Sequence, residues 1–168
     1  VAWTDEAELG GGRAVDHRIA RHLAELYATQ LREGCDADGA SDQCDATADS
    51  VWGDARAVMM LLQEGGRCKE VLSANTERQV VVEGLPLPGG ALDGSLRATL
   101  TRESFDELTS DIVDGWVAVV GKALEQSGID SAKIAAVTMV GGSSRIPQFR
   151  KLPQYRWDLG CILLKMSA

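Results

Sequence analysis

Residues 134–147 are IAAVTMVGGSSRIP, a short apolar run followed by two glycines and a polar turn. A continuous apolar run such as Ile134–Val140 predicts a strand that is buried on both faces of a sheet. The segment Gly141–Pro147 predicts a loop that leads toward another helix. Together with the long helical patterns upstream, this strand predicts an α/β (α+β) fold, in which a small sheet is packed by long helices.

Three long helices are predicted before this strand. Apolar residues recur with a helical period over Arg13–Glu33, over Asp54–Leu72 and again after Thr101. The inner face of the second helix is predicted to comprise Val58, Leu61, Leu62, Cys68 and Leu72. Thr101 is a suitable N-cap for the third helix, and Gly128 is a suitable C-terminal cap.

The pair Gly65-Gly66 lies inside the second helix. Each glycine there costs about 1 kcal/mol relative to alanine, so the pair predicts a weak point in that helix.

Two strands are predicted between the second and third helices. The first is Gln79–Glu83, and in the second the apolar residues Leu96, Ala98 and Leu100 alternate with polar ones. The connection Gly84–Ser95 is rich in proline and glycine, which predicts turns.

Two further segments are predicted to lie outside this framework. Glu33–Asp49 has six acidic residues and no Lys or Arg, so we interpret it as a flexible surface excursion. The tail 152–168 has no clear hydrophobic period, which predicts no regular element there.

Charge and composition exclude several classes of protein. The chain has 168 residues, with 17 Lys and Arg against 25 Asp and Glu, and its net charge of −8 argues against a nucleic-acid partner. No apolar run reaches the roughly 18–20 residues that span a bilayer, so no membrane partner is expected. Cys35 and Cys44 could pair in an oxidising compartment or remain free thiols. Because the first residue is Val1, we interpret the chain as a piece of a longer protein or as a processed product.

Two groups of residues have the chemistry of a binding site. Gly141-Gly142 would let a ligand approach the backbone, and the planar guanidinium of Arg145 could lie against a nucleobase. Lys69 and Ser73 are four residues apart, so they share a helix face on which they could hold a ribose and a base. The spacing alone also fits a tight turn with a surface arginine and an ordinary helix end.

Templates of a self-contained catalytic site are absent from the sequence. It contains no Walker loop, no HExxH motif and no G-x-S-x-G elbow. His17 and His22 are five residues apart, which favours two helix-surface residues over a pair of metal ligands.

Five segments, taken in order, resemble the seventy-kilodalton heat-shock chaperone family (the DnaK class), specifically the second lobe of its actin-like ATPase domain. They are Leu9–Gly11, Val71–Thr76, Val82–Leu85, Leu100–Leu108 and Val140–Pro147. The resemblance implies that residues 1–150 form that lobe, with an upper subdomain of about 10–109. The lower subdomain is then about 110–150 plus 1–9, and 151–168 is a divergent tail. The Ser-Ala-Asn-Thr sequence at 73–76 is more similar to the larger, endoplasmic-reticulum, hypoxia-upregulated type.

The resemblance also implies a nucleotide site for ATP or ADP. The residues that match positions lining the adenosine pocket are Gly11, Lys69, Ser73, Gly142 and Arg145, and Gly141 and Ser143 belong to the same loop. The family has an acidic residue that holds the ribose where this chain has Gly66, and a base where it has Glu70. These departures imply a weak grip on the nucleoside.

The parent family binds Mg²⁺, but its metal ligands, phosphate-binding hairpins and catalytic lysine match positions upstream of Val1 and are not in this sequence. The resemblance therefore implies a fragment of an ATP-dependent molecular chaperone that supplies the adenosine side of the cleft and does not hydrolyse ATP alone. Implied partners are nucleotide-exchange factors and J-domain co-chaperones, with unfolded polypeptide clients bound by other parts of the parent. Implied compartments are the endoplasmic reticulum lumen or the cytoplasm. The alternatives are a nucleotide-independent module that binds exchange factors, and a non-functional truncated product.

Overall fold

The structure is a computed structural model, and it describes residues 11–34, 45–87, 94–130, 133–134, 136–149 and 163–166. Helices and strands follow one another in the order α1 (Gly12–Glu33), α2 (Ala48–Trp52), α3 (Ala55–Ala74), β1 (Glu77–Leu85), β2 (Gly94–Thr101), α4 (Arg102–Ser127), β3 (Ala136–Met139) and β4 (Leu163–Met166). The mixed α+β class expected from the sequence is confirmed. The chain divides into two compact units, one formed by Val15–Leu108 and the other by Val1–Ala14 with Thr109–Ala168.

The helical pattern of the first unit is confirmed in α1 and α3. Val15, Ile19 and Leu23 of α1 are fully buried, as the apolar period predicts. The α3 helix begins at the N-cap Asp54, whose carboxylate accepts hydrogen bonds from the backbone N–H groups of Arg56 and Ala57 at 2.8 and 2.9 Å. This bond pattern satisfies two donors that the first helical turn leaves without an intrahelical acceptor.

The buried face of α3 is rotated slightly from the predicted one. Leu61, Cys68 and Leu72 are fully buried as expected, but Val58 and Leu62 are half-buried. The small residues Ala57 and Gly65 are buried in addition. The inner face is therefore flatter than the apolar pattern suggests, and a neighbouring helix can lie close to it.

Of the two glycines in α3, Gly65 lies closer to α1. A Cβ atom on Gly65 would lie 2.6 Å from the carbonyl oxygen of Asp16 and 3.2 Å from the backbone nitrogen of Ala20. Real Cβ atoms do not occur at the first of these distances, because they would overlap the oxygen. The close helix contact therefore requires glycine here, in addition to the cost in helix propensity that the sequence predicts.

The hairpin of β1 and β2 is antiparallel, with Val80 opposite Ala98 and Val82 opposite Leu96. In β2, Leu96 and Leu100 are buried and Ala98 is half-buried while Arg97 and Thr99 are exposed, which confirms the alternation predicted for this strand. In β1, Val80 and Val82 are also buried.

Both strands are longer than predicted. Gly84 and Leu85 belong to β1 and Gly94 and Ser95 to β2, so the turn-rich connection is shorter than Gly84–Ser95. The register shifts between Glu83 and Leu85, where Gly84 has φ +74°. The strand continues past this irregularity because a residue without a Cβ adopts that backbone conformation readily.

The predicted excursion Glu33–Asp49 ends earlier than expected. Thr47 is the N-cap of α2, and Ser50 N–H donates to Thr47 Oγ1 at 3.1 Å while Thr47 N–H donates to Ser50 Oγ at 3.0 Å. This reciprocal capping stabilises a short helix in a segment that has no apolar period to announce it. Residues 35–44, and with them the predicted alternatives for Cys35 and Cys44, lie outside the described residues.

Both predicted caps of α4 are confirmed. Ser104 N–H donates to Thr101 Oγ1 at 3.2 Å, and Thr101 N–H donates to Ser104 Oγ at 3.1 Å. At the other end, Gly128 has φ +63° and its N–H donates to the Glu125 carbonyl at 3.2 Å. In the second unit, Trp116 of α4 packs edge-to-face on Phe149 with ring centroids 4.6 Å apart.

Two predictions about the second unit are wrong. The tail contains a strand, β4, which pairs in parallel with β3 so that Ala136 lies opposite Leu163. The apolar run is not buried on both faces, because Thr138 and Val140 are exposed. In the part of the chain that the structure describes, β3 has one neighbouring strand, and a strand is buried on both faces only where layers cover both sides of its sheet.

No helix within the described ranges is both long and apolar enough to cross a bilayer.

Candidate functional site

The loop after β3 is a tight turn whose Ser144 and Ile146 side chains are buried. Gly142–Arg145 form one turn of 3-10 helix, in which Ser144 N–H donates to the Gly141 carbonyl at 3.1 Å. The hydroxyl of Ser144 donates to the same carbonyl at 2.7 Å, and this side chain is buried. Ile146 is also buried, and its N–H donates to the Ser143 carbonyl at 3.1 Å. These hydrogen bonds and buried side chains hold the backbone of the loop in place.

Among the described residues, no atom covers the glycines of this loop. Gly141 has φ +103°, a backbone conformation that side chains disfavour, so glycine is required there. No described atom lies within 4 Å of a Cβ built on Gly141 or Gly142, and Arg145 is exposed. A flat ligand could therefore approach the backbone of the loop and the guanidinium of Arg145.

Gly11 is the third glycine among the predicted site residues. It is exposed and precedes α1, where its carbonyl accepts a hydrogen bond from Ala14 N–H at 3.0 Å. A Cβ on Gly11 would meet no described atom within 4 Å.

Lys69 and Ser73 lie on one face of α3, as their spacing predicts. Ser73 Oγ donates to the Lys69 carbonyl at 2.7 Å, within the helix, and its oxygen can still accept a hydrogen bond. Lys69 Nζ lies 2.7 Å from Asp16 Oδ1 of α1, and both side chains are about four-fifths buried. The ammonium is thus held in place by a partner that is 53 residues away in sequence.

A second charged cluster lies on the buried side of α3. Glu64 is buried, with Oε2 3.4 Å from Arg67 Nη1 and Oε1 in contact with the Arg78 guanidinium. Next to it, burial raises the pKa of the Cys68 thiol from 9.0 to about 11, with Arg78 opposing and Glu64 adding to that shift. Because an inert neutral thiol and a paired carboxylate are typical of packing, this cluster supports the helix.

The described residues contain no group of three or more His, Cys, Asp or Glu side chains that could hold a metal ion. His17 is exposed and its ring lies 6.2 Å from Trp52, and His22 is half-buried with Nδ1 3.5 Å from Glu25 Oε2. Both histidines lie on α1, where they contact neighbouring side chains.

A sequence profile of the family described as Hsp70 protein matches residues 1–154. The chain belongs to the Hsp70 family. It is 31% identical over 144 residues to heat shock 70 kDa protein 17 of Arabidopsis thaliana, which covers 86% of this chain and 14% of the relative. It is 32% identical over 142 residues to hypoxia up-regulated protein 1 of Mus musculus, covering 84% of this chain and 12% of the relative. With the heat shock 70 kDa protein BIP3 of Oryza sativa subsp. japonica it shares 34% identity over 143 residues, covering 84% and 18%.

The chain therefore spans less than a fifth of the length of these Hsp70 relatives. The family resemblance read from the five sequence segments is confirmed, and the matched region includes every residue predicted for the nucleotide site.

The structure describes all seven of these residues and divides them between the two units. Gly141, Gly142, Ser143 and Arg145 share the loop after β3, and Gly11 belongs to the same unit. Lys69 and Ser73 lie together on α3 in the other unit. Their role as one nucleotide site stays a prediction, as do the subdomain boundaries.

Asp16 is a neighbour of Lys69 that the sequence analysis did not predict. Nothing in the sequence signals it, because α1 and α3 are joined by a long connection and their relative rotation is set by packing. On α3, a largely buried ammonium and a hydroxyl lie on one helix face, and in the other unit Arg145 presents an exposed guanidinium. Because the described residues contain no group of three or more His, Cys, Asp or Glu side chains that could hold a metal ion, they could not hold Mg²⁺ by protein ligands alone.

Proposed function

We propose that this Hsp70 chain is part of the second lobe of a chaperone ATPase domain and supplies a surface for the adenosine of ATP or ADP. The observation that supports this most directly is the place of the Gly141–Arg145 loop, which follows the carboxyl end of a strand that pairs in parallel. Ligands of α/β sheets bind at the carboxyl ends of parallel strands.

Each group of the loop has a distinct role in this proposal. Gly141 and Gly142 let the nucleoside approach the backbone, because no described side chain lies within 4 Å of a Cβ built on either residue. Arg145 stacks its guanidinium on the adenine ring, for which an exposed arginine on a fixed turn is well suited.

The α3 residues would bind the sugar side. Lys69 donates to sugar hydroxyls and Ser73 accepts from the nucleoside, while Gly66 and Glu70 replace the acidic and basic groups that the family has there. We therefore expect weak binding, in the high micromolar to millimolar range.

We propose that the chain does not hydrolyse ATP by itself. Phosphoryl transfer needs cations and a metal ion positioned around the γ-phosphate, and the sequence contains none of the family's phosphate-binding motifs. In the parent family, bound Mg²⁺ would neutralise the charge of the phosphates. We assign none of the described residues of this chain to the metal.

The test is an ADP titration of the 168-residue chain by calorimetry or NMR, with circular dichroism to show that it is folded. Arg145→Ala should weaken binding about two- to fivefold, because stacking of an exposed cation on an aromatic ring is worth about 0.5–1 kcal/mol. Arg56→Ala, at another exposed arginine, is the matched control and should leave the affinity unchanged. A folded chain that binds no ADP at millimolar concentration would reject the proposal.

A second candidate function is binding of a nucleotide-exchange factor by the unit Val15–Leu108. Val81 is 48% exposed on β1, whose one partner strand among the described residues is β2. Exposed apolar side chains on a strand edge favour contact with another protein. A pull-down with a purified exchange factor tests this, and Val81→Ser should reduce capture whereas Thr99→Ser, on the neighbouring strand, should not.

Family membership is the ground for three further proposals. The partners would be J-domain co-chaperones and polypeptide clients, and the compartment would be the endoplasmic reticulum lumen or the cytoplasm.

A further inference from the structure

The close approach of α1 and α3 places an acidic group beside a glycine of α3. Because Gly65 has no side chain, the backbone of Asp16 reaches the surface of α3. A Cβ on Gly66 would then lie 3.8 Å from Asp16 Oδ1 and 3.9 Å from its Cγ. The Asp16 carboxylate thus lies at the edge of the space that a side chain at position 66 would enter.

The same carboxylate holds the Lys69 ammonium. Asp16 Oδ1 lies 2.7 Å from Lys69 Nζ and is itself buried, whereas the side chain as a whole is 22% exposed. The exposed part therefore belongs to the remaining atoms of the side chain. A carboxylate has two acceptor oxygens, so one can hold a cation while the other accepts from a different donor.

We propose that Asp16 is the acidic group of the sugar-binding surface in this unit. Its Oδ1, which also borders position 66, orients the Lys69 ammonium, and its second oxygen accepts a hydrogen bond from a ribose hydroxyl. This inference rests on the proposed nucleoside-binding function and adds to it a residue from α1 that the family-derived site does not contain. In this arrangement two helices share the sugar contact, with the cation on α3 and the anion on α1.

The experiment compares Asp16→Asn with wild type for two ligands, ADP and 2′,3′-dideoxy-ADP. The substituted amide keeps an acceptor oxygen but loses the charge, so ADP affinity should fall about tenfold, as expected for loss of a charged hydrogen bond. The dideoxy ligand lacks the hydroxyl donors, so its affinity should be the same for both proteins. Glu25→Gln, an exposed acid on the same helix, is the matched control and should change neither affinity.

A second readout is independent of nucleotide. The rate at which an amine-reactive ester acylates Lys69 is followed by mass spectrometry, with the exposed Lys133 as internal reference. Asp16→Asn should accelerate labelling of Lys69 severalfold relative to Lys133, because the amine is no longer held by the carboxylate.

The outcomes separate the two proposals. If folded wild-type chain binds no ADP, the proposed function fails and the sugar contact fails with it, while labelling still decides whether Asp16 orients Lys69. If wild-type binds ADP but Asp16→Asn weakens both ligands equally, or neither, the sugar contact is overturned and the proposed function stands. Unchanged labelling of Lys69 would overturn its orientation by Asp16.

Discussion

The two adjacent glycines of α3 permit a sharp test of how its unit is packed. Gly65→Ala and Gly66→Ala introduce the same methyl group into the same helix, one residue apart. At Gly65 the new Cβ would lie 2.6 Å from a backbone carbonyl oxygen of α1, and at Gly66 the nearest atom would be 3.8 Å away. The first distance forces the helices apart, whereas the second is ordinary van der Waals contact.

The magnitudes follow from two opposing effects. Replacing a helical glycine by alanine stabilises the helix by about 1 kcal/mol at either position. Overpacking at Gly65 costs about 1–3 kcal/mol, because the obstructing atom is backbone and cannot rotate away. We therefore expect Gly66→Ala to stabilise the chain by up to about 1 kcal/mol, and Gly65→Ala to be less stable than Gly66→Ala by about 1–3 kcal/mol.

The assay is urea denaturation at room temperature, followed by far-ultraviolet circular dichroism, with the free energy of unfolding compared among wild type and the two variants. The difference between the variants is the informative quantity, since the propensity gain is common to both and cancels. Equal stabilities within about 0.5 kcal/mol would refute the close approach of α1 and α3 at Gly65.

Three further predictions concern the same unit. Glu64→Gln should lower the free energy of unfolding by about 2–3 kcal/mol in urea denaturation, because it leaves the Arg78 guanidinium without its buried anion. Glu83→Gln, at an exposed ion pair, should cost less than about 1 kcal/mol, and equal losses would contradict the role of burial. Burial raises the pKa of Cys68 from 9.0 to about 11, so the unfolded chain loses this proton first and stability should fall as pH rises between these values. In thermal melts, Cys68→Ala should reduce this loss of stability with rising pH. An unchanged slope of stability against pH would contradict the role of Cys68. Gln30→Ala removes an amide that donates to one β2 carbonyl at 2.6 Å and accepts from a β2 N–H at 3.1 Å, so it should cost about 1–2 kcal/mol and speed hydrogen exchange at that strand edge. Unaltered exchange there would contradict this contact.

Local sequence determined the elements that depend on neighbours along the chain. The helices α1 and α3 follow from a 3.6-residue apolar period, and Thr101 and Gly128 cap α4 because capping needs residues within about one helical turn. The alternation in β2 predicted its buried face for the same reason. The five segments that resemble the Hsp70 family are also local stretches of sequence, and the family membership that they indicate is confirmed.

Tertiary structure decided the features that join distant segments. The ion pair of Asp16 with Lys69, the contact of Arg21 with Asp49 and with the Trp52 ring, and the pairing of β3 with β4 each link residues far apart in the chain. No local pattern specifies such contacts, because they depend on how faces of separate elements are rotated against each other.

Gly65 shows the difference most clearly. Read along the chain, it lowers helix propensity, but read in three dimensions it lets two backbones approach within contact distance. Val140 is an apolar residue that the sequence predicts to be buried but the structure leaves exposed. Whether such a residue is buried depends on the layers that cover its strand. Periodicity thus fixes which face of an element is apolar, and packing alone fixes what that face meets.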